Sequence, residues 1–299
     1  PFGNNSAIGT YLCARLARET GVSRLLAGDG GDEIFGGNER YRTDRVFARY
    51  HAVPRPVRRR VIEPVLSLWP AALGGPLARA QRYVRRASIP NPRRFYSYSF
   101  FFAGEGRRLL APEWLAGLDP EAPWGVVERH FAEPRASSEL NRLLYLDLKL
   151  AIADNDLLKV VRTADAAGVR VRFPLLDVPL VELAATFPCD LKVRRLEKRY
   201  VFKRAFQGLL PPEVLAKTKH GFGVPTALWL KSHRGFRELA RDTLLSGAAR
   251  QRGLFRPGAL EELFALHARD ATAYYGDVLW TVLMLELWQR RWVDGAAGA

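Results

Sequence analysis

Residues 22–37 read Val22-Ser23-Arg24-Leu25-Leu26-Ala27-Gly28-Asp29-Gly30-Gly31-Asp32-Glu33-Ile34-Phe35-Gly36-Gly37. The first six form a short aliphatic run, which predicts a short, buried strand. A loop of glycines and acids follows directly at its carboxyl end. Upstream, Asn5 or Ser6 can cap a helix running to about Thr20, with Ile8, Leu12 and Leu16 on one face and Gly21 ending it. Helix, strand and Gly/Asp-rich loop in that order is the grammar of an α/β chain with a doubly wound parallel sheet. In such sheets ligands sit beyond the carboxyl ends of the strands.

The loop carries two kinds of chemistry. Gly28, Gly30 and Gly31 let the backbone turn sharply and bring N–H groups near an anion. Asp29, Asp32 and Glu33 place three carboxylates within five residues, hard oxygen donors that suit Mg2+ rather than Zn2+. Phosphate-binding amides beside such carboxylates is what nucleotide chemistry requires. By composition alone, a Gly/Asp surface turn accounts for the loop equally well.

The wider string decides between them. Leu25 to Tyr41, LLAGDGGDEIFGGNERY, resembles the signature of the asparagine synthetase family, a strand followed by S-G-[DE]-G-x-D-E-[LV]-F-G-G-Y. Three further blocks keep the family's order. Pro1-Phe2 with Ser6-Ala7-Ile8 is similar to its P-F-x-D-x-S-A-I entry. Val171-Arg172-Phe173-Pro174-Leu175-Leu176-Asp177 with Leu180-Val181-Glu182 is similar to V-R-x-P-F-L-D…L-V-E. Leu210-Pro211-Pro212-Glu213, then Lys217 to Pro225 and Trp229-Leu230, resembles L-P-x-E…R-x-K-x-G-F-x-x-P…W-L.

The resemblance implies an ATP-pyrophosphatase domain, of which this chain holds a remnant followed by a mostly helical region. It implies an ATP-dependent ligase that adenylates the side-chain carboxylate of aspartate, or of a similar acid, and then lets ammonia displace AMP. Carried onto this sequence, Gly28, Gly30 and Gly31 would bind ATP, and Asp32 with Glu33 would hold Mg2+ on the pyrophosphate. Asp29 would orient or deprotonate the attacking amine, and Lys219 would neutralise charge on the phosphates. Gly221 would allow a tight turn there, and Phe222 would anchor the Lys219 loop in the core. The family's S-G-G-x-D-S phosphate loop and the glutaminase domain that delivers ammonia are expected upstream of Pro1, so the chain reads as cut from a longer protein and inactive alone. Departures from the family pattern are Ala27 for serine, Asn4 for Asp, Val161 and Arg170 where acids are usual, and Arg199 where lysine is common. They leave open a related amide synthetase or cyclase with another substrate.

At 299 residues and 48% hydrophobic content the chain can bury a sizeable core. No apolar run is long enough to span a bilayer, which takes roughly 18 residues, so no membrane role is expected. Cys13 and Cys189 lack metal spacing and read as reduced thiols of a cytoplasmic protein. None of the five histidines pairs with Cys or carboxylates at metal spacing.

The net charge of +15 is carried by 38 Arg and 8 Lys. From Arg45 to Arg108 there are fourteen arginines against two glutamates. Such a field would suit a nucleic acid, an anionic substrate or an acidic neighbouring domain, and the rival reading of the whole chain is a non-catalytic basic binding module. A solvated basic face is the reading preferred here, with nucleic acid an unlikely partner and a homo-oligomer left open. The aromatic run from Phe95 to Phe102 is read as packing rather than as a base-stacking surface.

The organisation expected is residues 1–44 as the C-terminal part of the nucleotide-binding core, 45–138 as a basic, proline-rich helical region, and 139–299 as a helical remainder. Helical periodicity is expected from Glu139 through Val161, with Leu140, Leu143, Leu144, Leu148 and Ala151 on one face. It recurs at Val181–Phe187, Tyr200–Leu210, Phe236–Leu245 and Leu260–His267. The last helix, near Asp277 to Trp292, is apolar nearly all round and reads as central.

Overall fold

A computed structural model describes residues 2–68, 75–97, 105–136, 138–217 and 221–295. It is mixed α/β and mostly helical. Helix α1 (Ser6–Glu19) leads into strand β1 (Arg24–Leu26). Far along the chain, α2 (Leu157–Ala166) leads in the same way into β2 (Arg170–Arg172). The strands pair in parallel, Arg24 opposite Arg170, Leu25 opposite Val171 and Leu26 opposite Arg172, while α1 packs against α2. The Ala27 amide, which donates to the Arg172 carbonyl at 2.9 Å, carries the pairing one residue further toward the glycine loop.

The unit differs from its sequence reading in where the apolar residues point. Strand β1 is not buried: Leu26 is 73% exposed. On α1 the large side chains Leu12 and Leu16 face outward, and the helix is buried through Ala14 and Ala17. Small residues let α1 and α2 approach closely. Periodicity identifies an apolar stripe, but it cannot say which neighbour covers it.

The expected helix from Glu139 does form, but not as one regular α-helix. An α-helical stretch, Glu139–Asp147, buries Leu140, Leu143 and Leu144. It continues as a π-helical stretch, Leu148–Asp156, before becoming α2. The wider π turn rotates every following residue relative to an ideal 3.6-residue repeat, and such insertions gather at functional sites. Here Leu148 and Ala151 are only half-buried, and Ile152, Asp156 and Lys159 line a cavity.

The other helices fall close to their expected places, at Val178–Thr186, Arg234–Leu244 and Ala259–Arg269. The exception is Tyr200–Ala205, which stops five residues early in a turn. The last helix, Tyr274–Gln289, is central as expected. Its Val278, Leu279, Val282 and Leu283 form a core with Leu230, Leu244, Leu260 and Leu263. Buried Glu286 is neutralised there by Arg252 and Arg290, each at 2.9 Å.

A second core joins Tyr41, Phe95, Val127, Leu143, Leu146 and Val193. Phe95 thus packs as expected; residues 98–102 of the aromatic run lie outside the described residues. Several arginines of the basic segment also serve the fold. Arg94 is buried against Asp44 at 2.8 Å, and Arg93 bridges Glu121 and Glu128. Arg55, Arg59, Arg60, Arg79, Arg82 and Arg85 are exposed, as a solvated face requires. No described helix is long and apolar enough to cross a membrane.

His267 gives a test of the helical core. It is 3% exposed, and burial, with Lys231 nearby, pushes its imidazole below the usual histidine range. The folded state therefore resists the proton that the unfolded chain accepts near pH 6.5. Between those two values the unfolded chain binds more protons, so stability rises with pH there. Urea midpoints are expected to fall as pH drops through about 6.5, and His267→Leu is expected to flatten that fall. An unchanged pH dependence in the variant would contradict the assignment.

Candidate active site

Beyond the carboxyl ends of β1 and β2 lies a cavity of about 670 Å3. Its floor is the Gly28–Gly30 loop and the short helix Gly31–Phe35. Gly30 starts this helix in the left-handed region, φ 88°, which favours glycine. A Cβ there would overlap Leu176, and one on Gly31 would come within 2.6 Å of Leu175. These two glycines let the loop lie flat on the Pro174–Leu176 turn. Gly28 is different: a Cβ on it would meet nothing within 4 Å, because its Cα faces open space.

The acids separate as the chain turns. Asp29 is half-buried at the cavity, and its carboxyl is held above the usual aspartate range, chiefly by burial and then by Asp156. Lys159 pulls in the opposite direction. Lys159 is itself paired to Asp156 at 2.7 Å, so an ion pair stands across the cavity from Asp29. Asp32 lies over Gly37, where any Cβ would overlap its Oδ1, and Arg199 approaches it at 3.9 Å. Glu33, one residue further round the helix, is buried in the wall between this cavity and a second one.

Asp29, Asp32 and Glu33 therefore do not converge as their sequence spacing suggested. Among the described residues no three His, Cys, Asp or Glu side chains are grouped to hold a metal. Successive helical residues point about 100° apart, so neighbouring carboxylates cannot close a cage alone. Asp32 still presents carboxylate oxygen to a polar cavity, which suits a hard cation that takes its remaining ligands from phosphates and water.

Other cavity residues carry little sequence signal. Asp156 and Lys159 are three apart on a helix, an ordinary surface-pair spacing; only the π stretch aims them inward. Asn4 donates to Asn155 at 3.3 Å and accepts from the Ser6 hydroxyl at 2.6 Å, tying the entry of α1 to the cavity rim. Arg199 adopts φ 56°, rare for a residue with a side chain, and its buried Nε has no hydrogen-bond partner among the described residues. Such strain is characteristic of sites that hold a side chain for a purpose. Lys219 lies outside the described residues. Phe222 does not reach the core: it is 60% exposed, with its ring lying against Gly9 of α1 and bordering the cavity. The absence of a side chain at Gly9 gives the ring its seat.

Comparison with known proteins agrees with this geometry. Residues 1–290 match the asparagine synthase family. The chain is 25% identical over 288 residues to asparagine synthetase (glutamine-hydrolyzing) 1 of Bacillus subtilis, across 96% of this chain and 43% of that protein. A Mycobacterium bovis relative is 27% identical over 305 residues, across 98% of this chain and 43% of its own length. The asparagine synthetase (glutamine-hydrolyzing) of Gallus gallus is 26% identical over 183 residues, 58% of this chain and 31% of that one. This chain thus spans less than half the length of the relatives it matches. No solved structure matches it. With a glycine loop at the ends of parallel strands, and a family match across nearly all of its residues, the chain belongs to the asparagine synthase family.

Proposed function

We propose that this chain is the synthetase part of an ATP-dependent, glutamine-hydrolysing ligase that turns the side-chain carboxylate of aspartate, or of a close relative, into an amide. The two helix–strand units would be part of an ATP-pyrophosphatase domain. The observation that carries the reading is one cavity with opposed charges: Asp29 on its floor, the Asp156–Lys159 pair across from it, and Asp32 beside Arg199.

The chemistry divides into two displacements. A carboxylate oxygen of the substrate attacks the α-phosphorus of ATP and expels pyrophosphate, giving an acyl-adenylate. Ammonia, supplied by a glutaminase domain, then attacks the acyl carbon; AMP leaves and a proton is lost. Gly28, with Gly30 and Gly31, would give the nucleotide close access to backbone. Lys159, Arg199 and Lys219 would offset phosphate charge. Asp32 would hold Mg2+, which when bound neutralises the pyrophosphate; Glu33, buried in the wall behind it, could join only through a further ligand such as water. Asp29 would take the proton from the attacking amine, and a carboxyl raised by burial is the better base near neutral pH. The free thiols Cys13 and Cys189 fit a cytoplasmic setting. A non-catalytic basic module is not favoured, because the family match runs through the arginine-rich segment.

Asp29→Asn in the full-length protein tests the assignment. Amide formation is expected to fall about 10²- to 10⁴-fold, the range for a lost general base, while ATP–pyrophosphate exchange persists. Equal loss of both reactions would move Asp29 from the amine step to adenylation.

A further inference from the structure

Behind the Glu33 wall lies a second cavity of about 640 Å3. Leu144, Leu148, Val181 and Phe187 make its sides apolar. At its base is Lys192, 3% exposed. Its Nζ donates to Asn141 Oδ1 at 3.1 Å, and among the described residues it forms no ion pair. An ammonium carries three donors, so two are left without an acceptor among the described residues. Burial lowers this amine to about 8, with Cys189 pulling weakly the other way, so it remains largely protonated at neutral pH.

The position of Lys192 is built rather than incidental. Its neighbour Val193 is fully buried, and the two pack against Gly36, where a Cβ would come within 2.7 Å of Val193. The Gly36-Gly37 turn that follows the floor helix of the first cavity therefore also packs against this lysine. Arg135 lines the cavity and is exposed, and among the described residues it forms no ion pair. Burying a cation that has one neutral partner costs several kcal/mol, a cost that an incoming anion would offset.

We propose that this second cavity is a binding site for a small monocarboxylic acid with an apolar body. The carboxylate accepts from the two unfilled donors of Lys192, and the body lies against Leu144, Leu148, Val181 and Phe187. The apolar sides favour an acid with an apolar body over a small, wholly polar anion, which would leave Leu144, Leu148, Val181 and Phe187 uncovered. This site is separate from the proposed nucleotide cavity and stands or falls independently of the ligase reading.

The test is a saturation-transfer NMR titration of the full-length protein with 3-phenylpropionate at pH 7, compared with 3-phenylpropionamide. Saturable binding of the acid is expected, with the amide at least tenfold weaker. Lys192→Met, close in volume but uncharged, is expected to lose at least tenfold in affinity. Ala185→Trp fills the exposed edge of the cavity and is expected to block the acid with Lys192 intact. It decides the matter with the acid–amide comparison if Lys192→Met does not fold. Acid and amide binding alike, or undiminished binding in a folded Lys192→Met or Ala185→Trp protein, would overturn the proposal. So would loss on Lys159→Met with none on Lys192→Met, which would place the acid in the first cavity.

Discussion

Asp32→Ala in the full-length protein is expected to cut carboxylate-dependent ATP–pyrophosphate exchange by about 10³-fold or more, since a metal bridge to phosphate is worth several kcal/mol and each 1.4 kcal/mol is tenfold. The carboxylate lies over Gly37, which has no side chain to be stranded by its loss, and beside Arg199, whose exposed edge water can solvate. Thermal unfolding is read alongside, and exchange is expected to fall by far more than the folded fraction does. Arg199→Met is the companion variant, removing the neighbouring charge but not the proposed metal ligand, and is expected to lose less. Near wild-type exchange in Asp32→Ala would mean that the acid serves only the loop.

The largest structural effect is expected at Asp147. This carboxylate is fully buried and accepts from Tyr41 at 2.6 Å, Arg40 at 2.9 Å and Tyr96 at 3.1 Å. Burial raises its carboxyl above the usual range, and Arg40 and the two phenols act against that rise. Asp147→Ala strands the buried Tyr41 hydroxyl and removes one acceptor from Arg40, so a loss of about 3–5 kcal/mol is expected, as for a broken buried pair. Tyr41 stands four residues after Gly37, so the change reaches the loop that forms the cavity floor. Asp147→Asn keeps an acceptor and should lose markedly less. Denaturant unfolding of the two variants reads the difference, and equal small losses would show that the network is not holding the loop.

How legible this was in the sequence depends on range. Gly28 to Gly37 announces a strand-end loop because its glycines and acids are consecutive, and the structure places that loop beside a cavity. The helix starting at Glu139 was also legible, since three turns of leucine periodicity are local information. The π stretch at Leu148–Asp156 was not: it substitutes i→i+5 hydrogen bonds without changing residue types. Asp156 and Lys159 were lost with it. The outward turn of Leu12, Leu16 and Leu26 was hidden for the opposite reason, because burial depends on which element lies opposite. In the sequence nothing sets Lys192 apart from the other charges of a basic protein; its burial comes from packing between distant segments, with Val193 seated on Gly36.

Following oxygen reads adenylation most directly. The full-length protein is given ATP, Mg2+, ammonium and aspartate carrying heavy oxygen in its side-chain carboxylate, and the nucleotide products are analysed by mass spectrometry. If the carboxylate attacks the α-phosphorus and ammonia then releases AMP, one heavy oxygen must appear in AMP for each amide formed, and pyrophosphate must remain unlabelled. Label in inorganic phosphate with ADP as the nucleotide product, or amide formed with unlabelled AMP, would contradict adenylation in this cavity.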